Sequence, residues 1–168
     1  NVPVMGLAMN DKLVLRRHSD ASELIAQRAR LLAGLRDWMG RDGFIEVEVP
    51  ALMPSAGQEA HLHPPRVDVP GLPQSLWLQT SPELGLKRLL CAGAEKIYSL
   101  GWAFRGGREE LSSLHQPQFC LLEWYRPGTS LSLLQDDVVG LGEAASVALG
   151  VESPKQTRVV SLADIYKS

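Results

Sequence analysis

The chain is 168 residues long, 45% hydrophobic, and carries a formal net charge of −2. That length suits one sizeable core rather than two, and the near-balanced charge argues against nucleic-acid binding through a general basic surface. The opening NVPVMGLAMNDK has no basic start leading into an apolar run, and no apolar stretch is long enough to cross a bilayer, so a soluble cytoplasmic protein is expected.

Residues 1–19 read as an irregular arm, ahead of one domain over residues 20–168. From Asp20 the pattern becomes helical, with Asp20 and Glu23 spaced as a capping box. Leu24, Ile25, Leu31, Leu32, Leu35, Trp38 and Met39 recur at helical intervals, with arginines mostly between them, and Gly43 is placed to end the helix in the C′ position. FIEVEVP then alternates, with Ile45, Val47 and Val49 on the buried face of a strand that Pro50 ends. Residues 53–75, rich in Pro and Gly, read as a long loop with one short strand. In TSPELGLKRLLCAG, Ser81 is placed as N-cap, Pro82 as N1, Glu83 in the first turn and Gly93 as C′.

Two strands are predicted at about 97–105 and 118–126, close enough in sequence to pair antiparallel. Period two along the second puts Phe119, Leu121, Glu123 and Tyr125 on one face. The connection GGREELSSLHQPQ is far longer than a hairpin needs, and loops of that length are often functional. Glu123 stands between Leu122 and Trp124, where a carboxylate is costly unless something pairs with it or uses it. A helix fits about 130–149, weakened by Gly140 and Gly142. TRVVSLADIYKS reads as a short strand followed by a helix capped by Ser161. Cys91 and Cys120 lie in apolar segments without metal-ligand spacing and read as buried free thiols; no metal site is expected.

LQTSPELGLKRLL, WAFR and HQPQFCLLEWYRP, in that order and spacing, resemble the catalytic core of class II aminoacyl-tRNA synthetases, within it the lysyl branch. RDGFIEVEVPAL with the helix before it resembles motif 1; Phe104–Arg105, the long loop, and His115 through Glu123 resemble motif 2. The resemblance implies an α+β fold, an antiparallel sheet flanked by helices, present here as its N-terminal part. Only some twenty residues precede the first helix, where lysyl-tRNA synthetases carry an anticodon-binding domain, so the chain is most similar to the elongation factor P lysine ligases, which lack it.

That family activates lysine or β-lysine with ATP and Mg²⁺. The resemblance therefore implies Arg105 as the catalytic arginine spanning carboxylate and α-phosphate, with Glu109, Glu110, His115, Gln116 and Phe119 on the nucleotide. It implies Ser81, Pro82, Glu83, Glu123 and Tyr125 around the amino acid, elongation factor P (or tRNA) as acceptor, and a homodimer. A fixed guanidinium suits two approaching anions better than a mobile ammonium does, and a buried carboxylate suits an ammonium substrate, whose charge offsets its desolvation. This chain departs from the family in two places. Gly107 stands where an acid is usual, which Glu109 or Glu110 would replace, and HQPQF stands for HNPEF. No Gly-rich strand–helix context with an arginine (motif 3) follows residue 126, so these residues alone are expected to give only background ATP–pyrophosphate exchange. Alternative readings are a lysyl-tRNA synthetase fragment and a non-catalytic synthetase-like binding module.

Overall fold

The computed structural model describes residues 18–57, 59–106, 115–154 and 158–161. They form two compact units, one ending at Trp38 and resuming at Ser132, the other Met39–Leu131.

The first unit contains most of α1 (His18–Arg41) and of α3 (Leu131–Leu149). Helix α1 starts before Asp20, which therefore lies in its first turn instead of capping it, since an N-cap residue needs non-helical backbone. Glu23 accepts hydrogen bonds from Gln27 and Arg30 along the exposed face. Leu24 and Ile25 are exposed, so the apolar stripe is covered only further along, where Leu31, Leu32 and Leu35 are half-buried. The glycines of this unit permit helix-to-helix contact. A Cβ on Gly140 would lie 2.6 Å from the Trp38 indole, and one on Gly34 2.8 Å from the Ala148 Cβ.

The second unit is built on two three-stranded sheets, ordered β1-β5-β6 and β2-β4-β3. Their strands are β1 (Ile45–Glu46), β2 (Leu52–Met53), β3 (Arg66–Val67), β4 (Leu76–Leu78), β5 (Ile97–Phe104) and β6 (Gln118–Tyr125), with α2 (Glu83–Cys91) between β4 and β5. β5 and β6 pair antiparallel along their whole length, from Ile97↔Tyr125 to Phe104↔Gln118. β1 joins β5 in parallel through Ile45↔Ile97. Gln79, just past β4, links the two sheets: its carbonyl accepts from the Phe104 amide at 2.9 Å, and its side-chain amide donates to the Trp102 carbonyl at 3.0 Å. Met39, Phe44, Leu86, Ile97, Tyr98 and Ala103 form the core of this unit.

Gly43 takes the predicted left-handed conformation (φ 79°), and the Phe44 amide turns back onto the Met39 carbonyl. The turn is clamped to the sheet, because Asp42 bonds Arg126 (2.6 Å) and Lys96 (2.7 Å) and both cations lie over the Phe44 ring. The strand after it is shorter than the alternation suggests, and Ile45 is 65% exposed. The buried Tyr98 donates its hydroxyl to the Glu46 carboxylate at 2.9 Å, giving this acidic position an inward partner. The 53–75 loop carries β3, and β2 opens at its edge.

Helix α2 is capped one residue later than expected, with Pro82 at the N-cap position, although the Ser81 hydroxyl still accepts from the Glu83 amide at 3.1 Å. Cys91 and Cys120 are free, but Cys91 is exposed and Cys120 only half-buried. Cys91 is five residues on from buried Leu86, about 140° around the helix, so it turns away from the core. Residues 158–161 form no strand, and the helix expected after Ser161 lies outside the described residues.

Candidate functional site

The site grows from the register of β5 and β6. Pairing of Ala103 with Phe119 and Ser99 with Glu123 sets the end of β5 beside the start of β6, and the Arg105 amide extends the ladder by donating to the Pro117 carbonyl at 3.0 Å. Arg105 is therefore delivered at the strand end, its guanidinium 5.1 Å from the centroid of the Phe119 ring. That contact holds the charge against a flat apolar surface, an interaction of about 0.5–2 kcal/mol.

Two hydroxyls hold Glu123. Ser81 donates to one carboxylate oxygen at 2.5 Å and Tyr125 to the other at 2.8 Å. The Tyr125 bond follows from the β period, since residues two apart share a face. Burial first, and the Glu123 bond second, push the Tyr125 phenol far above its ordinary value. It thus remains a donor to the carboxylate at neutral and moderately alkaline pH.

The short segment Thr80–Ser81 ties these groups together. The Thr80 carbonyl accepts from Arg105 Nε at 3.4 Å, while the next residue, Ser81, bonds Glu123. A cation from one strand and an anion from its neighbour therefore reach the same segment, on one side of the sheet. Among the described residues neither forms an ion pair: Arg105 meets a carbonyl and a ring, and Glu123 meets two hydroxyls. Separated opposite charges of this kind are costly in an empty site and favourable when a ligand supplies both counter-charges.

Thr80 and Ser81 also line a cavity of about 220 Å³, with Met53, Gly57, Glu59, Leu78, Glu83 and Leu84 among its other walls. Glu83, in the first turn of α2, pairs with Lys87 one turn on. Their hydrogen bond is the main cause that raises the Lys87 ammonium above its ordinary value, and Glu123 adds a smaller pull in the same direction. Pro82 is buried beneath them. His115 and Gln116 are exposed just before Pro117, and Gln118 opens β6 opposite Phe104. Glu109 and Glu110 lie outside the described residues. Among the described residues no three His, Cys, Asp or Glu side chains come together as a metal cage, and no helix is long and apolar enough to cross a membrane.

Sequence reasoning did not single out Thr80 and Glu59. The Thr80 hydroxyl, 9% exposed as a residue, donates to the Glu59 carboxylate at 3.4 Å. Glu59 sits in the Pro- and Gly-rich loop, where no periodicity marks it, and the pair spans 21 positions.

The model of the family described as tRNA synthetases class II (D, K and N) matches residues 6–139. Among curated proteins, the chain is 40% identical over 121 residues to "Elongation factor P--(R)-beta-lysine ligase" of Vibrio cholerae, covering 70% of this chain and 37% of that protein. The Vibrio vulnificus protein of the same name is 40% identical over 120 residues (69% and 36%), and that of Yersinia enterocolitica 39% over 121 (70% and 37%). The matches thus span little more than a third of those relatives' length. The strand pair, the α2 start and the opposed charges all fall inside the matched region, and the chain belongs to the class II tRNA synthetase family of the D, K and N type.

Proposed function

We propose that this chain is the motif 1 and motif 2 part of an ATP-dependent ligase, which activates lysine or β-lysine as its adenylate and passes it to a lysine side chain of elongation factor P. The observation that carries the reading is the pair of opposite charges, Arg105 and Glu123, neither in an ion pair among the described residues and both joined to successive residues of one segment. The relatives' names support the substrate and the acceptor.

In activation, a carboxylate oxygen of the amino acid attacks the α-phosphorus of ATP. The bond to the β-phosphate breaks, and pyrophosphate leaves with its electron pair. Arg105 offers a rigid fork of donors to both anions, so its contribution grows as charge builds on the phosphoryl oxygens. Phe119 offers a face for the adenine, with His115, Gln116 and an acid at Glu109 or Glu110 contributing to the nucleotide site. Magnesium entering with the nucleotide would supply positive charge that lowers the repulsion between the two anions. Glu123 receives the substrate's side-chain ammonium, oriented by Ser81 and Tyr125. Pro82 and Glu83 complete the wall, with Glu83 shared between the pocket and Lys87. In the transfer step the acceptor's amine nitrogen attacks the acyl carbon, AMP leaves, and the amine gives up a proton. The reading includes a homodimer working in the cytoplasm.

The test is ATP–pyrophosphate exchange by the full-length gene product, with lysine, β-lysine or norleucine, followed by transfer of labelled amino acid to elongation factor P or to tRNA. Exchange with the first two but not with norleucine, and label on the protein, is expected. Label on tRNA alone would make the enzyme a lysyl-tRNA synthetase, and no exchange with any amino acid would favour a binding module.

A further inference from the structure

β1 pairs with β5 at Ile97 and Tyr98, and the Val47 amide adds one more bond, to the Tyr98 carbonyl at 2.8 Å. Hydrogen-bonded and non-hydrogen-bonded positions alternate along the antiparallel β5–β6 pair, so Trp102 and Phe104 turn their backbone groups to the same edge as Tyr98. Gln79 meets both of them there. Its carbonyl accepts from the Phe104 amide at 2.9 Å, and its side-chain amide donates to the Trp102 carbonyl at 3.0 Å. Its own amide donates to the Ala51 carbonyl at 2.9 Å, which anchors the joint to the chain entering β2. The side chain thus stands in for strand backbone where β1 has ended. This joint lies one residue from Arg105 on one chain and one residue from Thr80 on the other. From the β6 side Arg105 is held by the Pro117 carbonyl and the Phe119 ring. From the β4 side it is held by the Thr80 carbonyl, which Gln79 places.

We propose that Gln79 is a positioning residue for Arg105. One hydrogen bond, from Phe104 to the Gln79 carbonyl, would leave the two chains free to pivot about it. The second, from the Gln79 side chain to a carbonyl two residues back along β5, fixes their angle, and with it the reach of Arg105 to Thr80. This rests on the ligase reading and deepens it. A guanidinium that spans two anions meets charge that develops only in the transition state, so a displacement of a fraction of an ångström is felt in turnover before it is felt in binding.

The test is lysine-dependent ATP–pyrophosphate exchange by the full-length gene product. Gln79→Leu removes the donor at similar size and should lower kcat about tenfold while the lysine KM stays within about twofold of wild type. In an Arg105→Lys background the same substitution should cost less than about twofold more, because the group it positions is already gone. Gln79→Glu sets a carboxylate against the Trp102 carbonyl at neutral pH and regains a donor when protonated. Its kcat deficit relative to wild type should therefore shrink as pH falls from about 8 to about 5.5. If the Gln79→Leu and Arg105→Lys losses simply multiply, or if Gln79→Leu keeps wild-type kcat, the assignment of Gln79 is wrong although the ligase reading stands. Should Gln79→Leu not fold, the Gln79→Glu profile decides alone, and a deficit that does not change with pH overturns the assignment. If the wild type shows no lysine-dependent exchange, both fall.

Discussion

Replacing Glu123 by Gln removes a charge while nearly keeping a shape, so it isolates the electrostatic part of substrate recognition. In the folded protein the carboxylate is held by hydroxyls at 2.5 and 2.8 Å, and both can rotate to suit an amide. Fold stability should therefore change by no more than about 1 kcal/mol. What the proposed function says is lost is a charge-assisted bond to the incoming ammonium, typically about 1.5–3 kcal/mol. Glu123 is half-buried rather than buried, so solvent screening favours the lower part of that range. The expected result is a rise of about 10- to 30-fold in the lysine KM. The ATP KM should stay within about twofold of wild type, since that interaction is made with one substrate alone. The assay is lysine-dependent ATP–pyrophosphate exchange on the full-length gene product, with each substrate varied at saturation of the other. Equal rises in both constants, or an unchanged lysine KM, would refute the assignment.

Other expectations probe separate parts of the structure. Arg105→Lys should lower kcat for exchange by about 100-fold, because a point charge cannot reproduce the fork; near-normal turnover would remove Arg105 from catalysis. The Tyr125 phenol, raised by burial and by Glu123, keeps its proton in the fold while the unfolded chain loses it near pH 10. Its stabilising contribution is thus fully present below about pH 10 and is lost as pH rises toward the higher folded value. Denaturation measured against pH should show a shallower alkaline decline for Tyr125→Phe than for wild type, and identical declines would count against the buried bond. Gly140→Ala should destabilise by about 1–3 kcal/mol because its Cβ meets the Trp38 ring, whereas Gly142→Ala, with open space around it, should stabilise by up to about 1 kcal/mol. Urea midpoints moving in the same direction for both would contradict the packing described.

Local signals carried the reading furthest where the structure is itself local. The antiparallel pair β5–β6 and the shared face of Glu123 and Tyr125 follow from alternation and a strand–loop–strand order. The α2 boundaries follow from Ser-Pro-Glu and Gly93, within one residue at the cap. Long-range partners were not legible. Nothing near Ile45 announces that β1 stops after two residues, or that the tyrosine beside its strand partner turns onto Glu46. Gly140 looked like a weakness in α3 until Trp38, about a hundred positions away, filled the space above it. Glu59 and Thr80 were missed for the same reason, because the bond between them exists only once the 53–75 loop has folded against the strand end. The motif order supplied what periodicity could not: a reason for Arg105 and Glu123 to be read together.

The most direct measurement is a crystal structure of the full-length gene product with lysine and a non-hydrolysable ATP analogue. It should place the lysine side-chain ammonium within hydrogen-bond distance of Glu123, and the α-phosphate beside the Arg105 guanidinium. Finding the ammonium held elsewhere, or the phosphates bound away from Arg105, would contradict the account at its centre.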